Sequence, residues 1–181
     1  MGPGLHFFSV TDNLGAGGPL STHISRLLVA VAVVALLSVN AIAGALEDGM
    51  TAYAQANYAE AFRLLEPLAG QGEAVAQEVL GVMYAEGQGV KKNEAEAVRL
   101  FRRAAEQGND LGQYNLGAAY VNGLGVPKDY VLGQMWFILA AAQGFEAARS
   151  ARDKLTRYMT PDQIIEAQRL AREWKPTTPF K

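Results

Sequence analysis

The sequence predicts an all-α protein arranged as an α-α superhelix, a solenoid of antiparallel helix pairs. Two observations carry this. Sliding the chain against itself by 36 places aligns residues 80–108 with residues 116–144, matching Leu80/Leu116, Gly81/Gly117, Tyr84/Tyr120, Gly87/Gly123, Gly89/Gly125, Val90/Val126, Gln107/Gln143 and Gly108/Gly144. A fixed period in this range is the mark of stacked repeats. Each aligned segment also reads as two helical stretches divided by a glycine-rich turn. The chain's 181 residues, 50% hydrophobic and 19% charged, suit one compact domain or a short repeat array and exclude wholesale disorder.

The N-terminal segment, residues 1–43, reads as a secretory signal. Leu27 to Leu37 is an uninterrupted apolar run of eleven residues, followed by the small-x-small triplet Ala41-Ile42-Ala43. Eleven helical residues reach roughly 16 Å, short of the roughly 30 Å hydrocarbon core. Cleavage is expected after Ala43, or after Ala45. An uncleaved membrane anchor over Leu27 to Leu46 is the alternative, and only then would the chain contact a membrane through this segment. Either way the remainder is expected outside the cytoplasm, periplasmic or extracellular. The stretch before Arg26 is long and glycine-rich, as a start codon assigned too far upstream would give.

The rest divides at the period. Residues 44–72 form a first helix pair, 73–108 and 109–144 two full units, 145–175 closing cap helices, and 176–181 a tail. In the first full unit, Val75, Val79, Leu80, Met83 and Tyr84 fall at helical spacing on a helix from Ala74 to Glu86. Gly87 suits the left-handed cap, Gly89 a second sharp turn, and Val90 can point back between the helices. Asn93 and Asp129 are expected N-caps, and Asn93 with Glu96 has the spacing of a capping box. Second helices are expected from Glu94 to Gln107 and from Tyr130 to Gln143. Gly81 and Gly117 belong at helix crossings, Tyr84 and Tyr120 between units, and Ala97, Ala104, Ala105, Ala141 and Ala142 at close helix approaches. Phe101, Trp136 and Phe137 fall at core spacing. Phe145 to Tyr158 starts a further unit with Arg152 and Asp153 in the places of Leu and Gly. Thr160-Pro161-Asp162-Gln163 then opens a last helix as a capping box, running to about Trp174.

The pattern LGxxYxxGxGV, an N-cap and an AAxQG ending resembles the Sel1-like repeat family, a variant of the tetratricopeptide solenoid. The likeness covers two nearly full units. Upstream, residues 49–61 (GMTAYAQANYAEA) are similar to a tetratricopeptide-type half-unit, with Tyr58 and Ala61 in the expected places. The resemblance implies adaptor or regulatory roles. Some secreted members staple each unit with a cysteine pair, and this chain has no cysteine.

The chemical inventory narrows what the array can do. Both histidines, His6 and His23, lie before residue 44, and the following 138 residues hold one serine, Ser150, with no histidine or cysteine. Without the N-terminal segment, Ser-His and Cys-His nucleophiles, His- or Cys-ligated zinc and imidazole acid–base catalysis all lack their residues. No cofactor, metal site or catalytic residue is expected, and a carboxylate-only glycan hydrolase would need a facing acid pair that nothing singles out. Gly87-Gln88-Gly89 and Gly123-Leu124-Gly125 end helices and lack the strand that phosphate-binding loops follow. Glu94 and Glu96 suit the positive end of a helix without any catalytic role.

If the tetratricopeptide frame transfers, the inward wall carries Met50, Tyr53, Val75, Glu78, Val82, Glu86, Leu111, Tyr114, Ala118, Val121 and Asn122. Tyr53 and Tyr114 are the foremost candidates, because aromatic side chains give interface energy at low entropic cost. Such a wall suits a peptide or helix from another protein. Charge is uneven: residues 44–110 hold 11 acids and 6 bases, and residues 111–181 hold 6 acids and 9 bases. Arg149, Arg152, Lys154 and Arg157 make a basic patch that could meet an anionic envelope surface or serve as a solvated cap face. Nucleic acid is not an expected partner. The function expected is a non-enzymatic, exported scaffold or regulator in the cell envelope.

Overall fold

A computed structural model describes residues 42–177, and the secondary structure there consists of eight helices joined by short turns. The apolar run Leu27–Leu37 and the signal or anchor expectation attached to it lie outside the described residues. Among the described residues no helix is long and apolar enough to cross a membrane. The chain runs through α1 (residues 42–54), α2 (Tyr58–Gly70), α3 (Ala74–Glu86), α4 (Glu94–Glu106), α5 (Asp110–Asn122), α6 (Tyr130–Ala142), α7 (Glu146–Thr156) and α8 (Pro161–Glu173).

Neighbouring helices stack in order from α2 to α7, with α3 against α4 and α5 against α6 as the closest pairs. Three local devices repeat at the predicted period. Gly87 and Gly123 cap α3 and α5 in the left-handed conformation, at φ 74° and 72°. Asn93 and Asp129 cap α4 and α6, each accepting from the third backbone N–H onward. A Cβ on Gly81 or Gly117 would come within 2.5 Å and 2.8 Å of the rings of Phe101 and Phe137, so hydrogen at these positions lets each pair close.

Some expectations need correction. The capping box at Asn93 is only half formed: the Asn93 backbone N–H donates to the Tyr84 carbonyl, while the Glu96 carboxylate pairs with Arg99. The full box does form at Thr160 and Gln163. Helices α4 and α6 end one residue early, leaving Gln107 and Gln143 as C-caps. Ala142 is exposed and brings no helices together, whereas Ala97, Ala104, Ala105 and Ala141 are buried.

The Tyr84 ring meets Phe62 of α2 edge-on at 6.1 Å, and the Tyr120 hydroxyl accepts from Arg102 of α4 at 3.0 Å. Each tyrosine therefore reaches back to the second helix of the preceding unit. A glutamine ladder, unforeseen in the sequence, does the same in the core. Gln77 and Gln113 are fully buried and donate to the Ala69 and Ala105 carbonyls at the ends of α2 and α4. Their side-chain oxygens accept from Gln107 and Gln143, at 2.8 Å and 2.9 Å. The next place in this series is Arg149, which is exposed and paired with Glu146.

The last helix departs from the pattern. Where α3 and α5 present Leu80-Gly81 and Leu116-Gly117 to their second helices, α7 presents Arg152 and Asp153, which pair with each other at 2.8 Å. A charged face offers α8 no apolar partner, and α8 packs on α6 instead. There Trp174 meets Trp136 edge-on at 5.9 Å, and Ala171 and Leu170 join the core around Phe101 and Met135. Beyond α8, Thr177 bonds the Glu106 carbonyl at the end of α4 through both its backbone N–H and its hydroxyl.

Candidate functional site

Two recesses open between successive first helices, and they are the same structural place one period apart. The first, about 260 Å³, is bounded by Val82, Ala85 and Glu86 of α3, by Lys92, Glu94, Ala97, Val98 and Phe101, and by Asn115, Ala118 and Ala119 of α5. The second, about 330 Å³, is bounded by Tyr114, Ala118, Val121 and Asn122 of α5, by Lys128, Tyr130 and Phe137, and by Ala151, Lys154, Leu155 and Tyr158. Glu86 and Asn122, Lys92 and Lys128, Glu94 and Tyr130, Phe101 and Phe137, and Ala118 and Lys154 are period mates. Each recess has an aromatic floor from a second helix and walls from two first helices.

The structure thus gathers Val82, Glu86 and Ala118 at one recess and Tyr114, Ala118, Val121 and Asn122 at the other. Tyr114 is held by Phe137 and Phe145, at ring separations of 5.6 Å and 5.3 Å, so it serves packing as well as the recess wall. Met50 and Leu111 are exposed, and Val75 packs half-buried against the first core cluster. Tyr53 is half-buried, and its hydroxyl donates to Gln88 at 3.1 Å. Burial, more than the nearby Tyr58, Glu78 and Glu86, raises the Tyr53 phenol above its ordinary value.

Glu78 is closed off rather than offered to a ligand. Its side chain is buried between α3 and α5, where the Asn115 amide donates to it at 2.8 Å. Burial pushes its pKa up to about 7; the Asn115 hydrogen bond opposes that shift, and the negative charge of Asp110 adds to it. A burial of this kind is invisible in sequence because the i, i+3, i+4 pattern does not say which polar position lies under the next unit.

The basic patch is partly neutralised in place. Arg149 pairs with Glu146 at 3.2 Å and Arg152 with Asp153 at 2.8 Å, while Lys154 turns into the second recess. Lys154 was not expected beside Tyr114; the signal lay in the period, which sets it opposite Ala118. Lys128 and Tyr130 line the same recess, in the places that Lys92 and Glu94 hold one period earlier. Among the described residues no cluster of three acidic side chains is arranged to hold a metal ion.

Comparison with known proteins agrees with this architecture. The Sel1 repeat family model matches residues 42–73, 74–109 and 110–145, so the first helix pair counts as a third repeat. A protective antigen of uropathogenic Escherichia coli strains, described as displaying an SLR fold, is 30% identical with a TM-score of 0.70 over 74% of this chain. A Sel1 repeat protein from Oxalobacter formigenes is likewise 30% identical, with a TM-score of 0.60 over 72% of this chain. The chain spans only 29% of the first of these and 56% of the second. Among curated proteins the chain finds no match. Three matched units, two solved relatives and the repeated glycine, tyrosine and glutamine contacts lead to one assignment: the chain belongs to the Sel1 repeat family, whose members generally serve as protein–protein interaction scaffolds.

Proposed function

We propose that this chain is an exported, non-enzymatic scaffold of the cell envelope that holds a segment of another protein along its first helices. The observation carrying this reading is the recurrence of one recess at one period. A ligand meeting such a surface finds the same shape twice with different side chains, which suits a polymer of amino acids better than a single small molecule. The scarcity of nucleophiles after residue 43 supports a binding role, and the apolar run Leu27–Leu37 with its Ala41-Ile42-Ala43 triplet supports export.

Site-specific photo-crosslinking in the native envelope tests it. A photoreactive residue at Glu86 or at Asn122 should give the same discrete adduct, and one at Ala95 on the outside of α4 should not. Absence of any adduct from both recess positions, with the protein folded and present, would overturn the scaffold reading. Fractionation that leaves the mature chain in the cytoplasm would overturn the export part.

A further inference from the structure

The two recesses share a shape and differ in charge, and the difference is confined to a few substitutions. In the first recess the Lys92 ammonium lies 3.1 Å from the Glu94 carboxylate, and Glu86 adds a second acid at the rim. One period on, Tyr130 stands in place of Glu94, so Lys128 has no carboxylate there and sits 4.8 Å above the Tyr130 ring. Asn122 replaces Glu86, and Lys154 replaces Ala118 on the opposite wall. Among the described residues neither Lys128 nor Lys154 is within salt-bridge distance of an acid, whereas Arg149 and Arg152 on the same helix as Lys154 both are.

We infer that the α5–α7 recess is a docking site for an acidic peptide segment of the partner, with Lys128 and Lys154 gripping its carboxylates from opposite walls. The floor under them is aromatic and apolar, from Tyr114, Tyr130 and Phe137, so an acidic residue beside a leucine or phenylalanine satisfies both parts. Lys128, exposed but held 4.8 Å over the Tyr130 ring, is oriented before binding, which lowers the cost of fixing its side chain. The first recess, carrying its own acids, would not accept the same residue, so the pair of recesses also gives the bound segment a direction. This inference rests on the scaffold reading and adds to it the chemistry of the partner.

The test uses the full chain and two labelled dodecapeptides, one alternating Glu with Leu and Phe, the other with every Glu replaced by Gln. Fluorescence anisotropy should show the acidic peptide binding at least tenfold more tightly than the Gln peptide, with the preference fading as salt is raised. Lys128→Met and Lys154→Met should each weaken the acidic peptide by about five- to tenfold, and Arg149→Met should leave it unchanged. Tyr130→Glu installs the Lys–Glu pairing of the first recess and should abolish the preference without removing either lysine. Equal losses from Arg149→Met and Lys154→Met, no preference for the acidic peptide, or an undiminished preference in Tyr130→Glu would each overturn the site. So would capture by phosphatidylglycerol vesicles that depends on Lys128 and Lys154 while the peptide does not bind. If the site fails while Glu86 and Asn122 still crosslink one partner, the scaffold reading stands and only the acidic chemistry falls.

Discussion

The side-chain amide of Asn115 donates to the Glu78 carboxylate at 2.8 Å, joining the first helices of the second and third repeats. The bond lies in a place closed to solvent, with Glu78 only 7% exposed. A carboxyl there holds its proton far more firmly than one on an unfolded chain, whose ordinary value is 4.5. The stabilising contribution is therefore complete below about pH 4.5 and is lost as pH rises through about 7. The loss amounts to about 3 kcal/mol. Glu78→Gln keeps an acceptor for Asn115 and removes the charge. Urea unfolding should find this variant more stable than the parent at pH 8 and little changed at pH 4; identical pH dependence in both proteins would contradict the assignment.

The glutamine ladder should behave as a coupled unit. Gln113→Ala removes one donor from the Ala105 carbonyl and one acceptor from the Gln143 amide, each of which keeps a bond to Gly108, and opens space in the core, at a cost of about 2–4 kcal/mol. Gln143→Ala alone should cost about 1 kcal/mol, since Gln143 itself is exposed and its loss opens no space in the core. In a double-mutant cycle the two changes should be non-additive by about 1 kcal/mol. Simple additivity would mean the 2.9 Å bond between them contributes nothing.

Gly125 has φ 68°, and a Cβ there would collide with the backbone of Glu94 rather than with a movable side chain. Gly125→Ala should accordingly cost about 3 kcal/mol or more, from the left-handed conformation and from the displaced main chain together. Gly123→Ala shares the positive φ but would meet Lys128 at 3.5 Å, an ordinary contact. Its cost should be about 1–2 kcal/mol. Thermal melts of the two variants side by side measure the difference, and equal effects would remove the steric part of the argument.

The chain's two tryptophans, Trp136 and Trp174, are the pair that fastens α8 to α6. Trp174→Ala should therefore loosen α8 and cost about 2 kcal/mol, less than for a fully buried ring because Trp174 is half-buried. The remaining emission, from Trp136 alone, should shift to the red as its ring is uncovered. An unshifted spectrum would mean that α8 stays in place without its aromatic contact.

The helix pairs were readable in the sequence because glycine, N-cap and core positions recur together, and each has a local physical cause. Gly87, Asn93, Gly81 and Tyr84 specify a turn, a cap, a crossing and a contact by their own chemistry. The site was readable only in part. Ala118, Val121 and Asn122 could be placed on the wall by the tetratricopeptide frame that the resemblance implies, but the recess needs Lys128 from a turn and Lys154 from the following unit. Which polar residues a later unit covers is decided by the stacking of units, so Glu78, expected on the inward wall, lies buried, as does Gln113. The path of α8 escaped for a related reason. The Arg152-Asp153 departure was visible, but its effect, sending the final helix to α6, depends on how much apolar surface α6 has left over.

Gly89 lies against the backbone and Cβ of Tyr58, and Gly125 against the backbone of Glu94, so the interval from one unit to the next is set without reference to the outer atoms of the side chains that line the recesses. Exchanging Glu94-type for Tyr130-type residues, or Ala118-type for Lys154-type ones, changes the charge and shape that each recess presents while the ruler beneath keeps its graduations. On the proposed reading, selectivity could thus be revised by one or two codons at a time while the spacing of the units is kept.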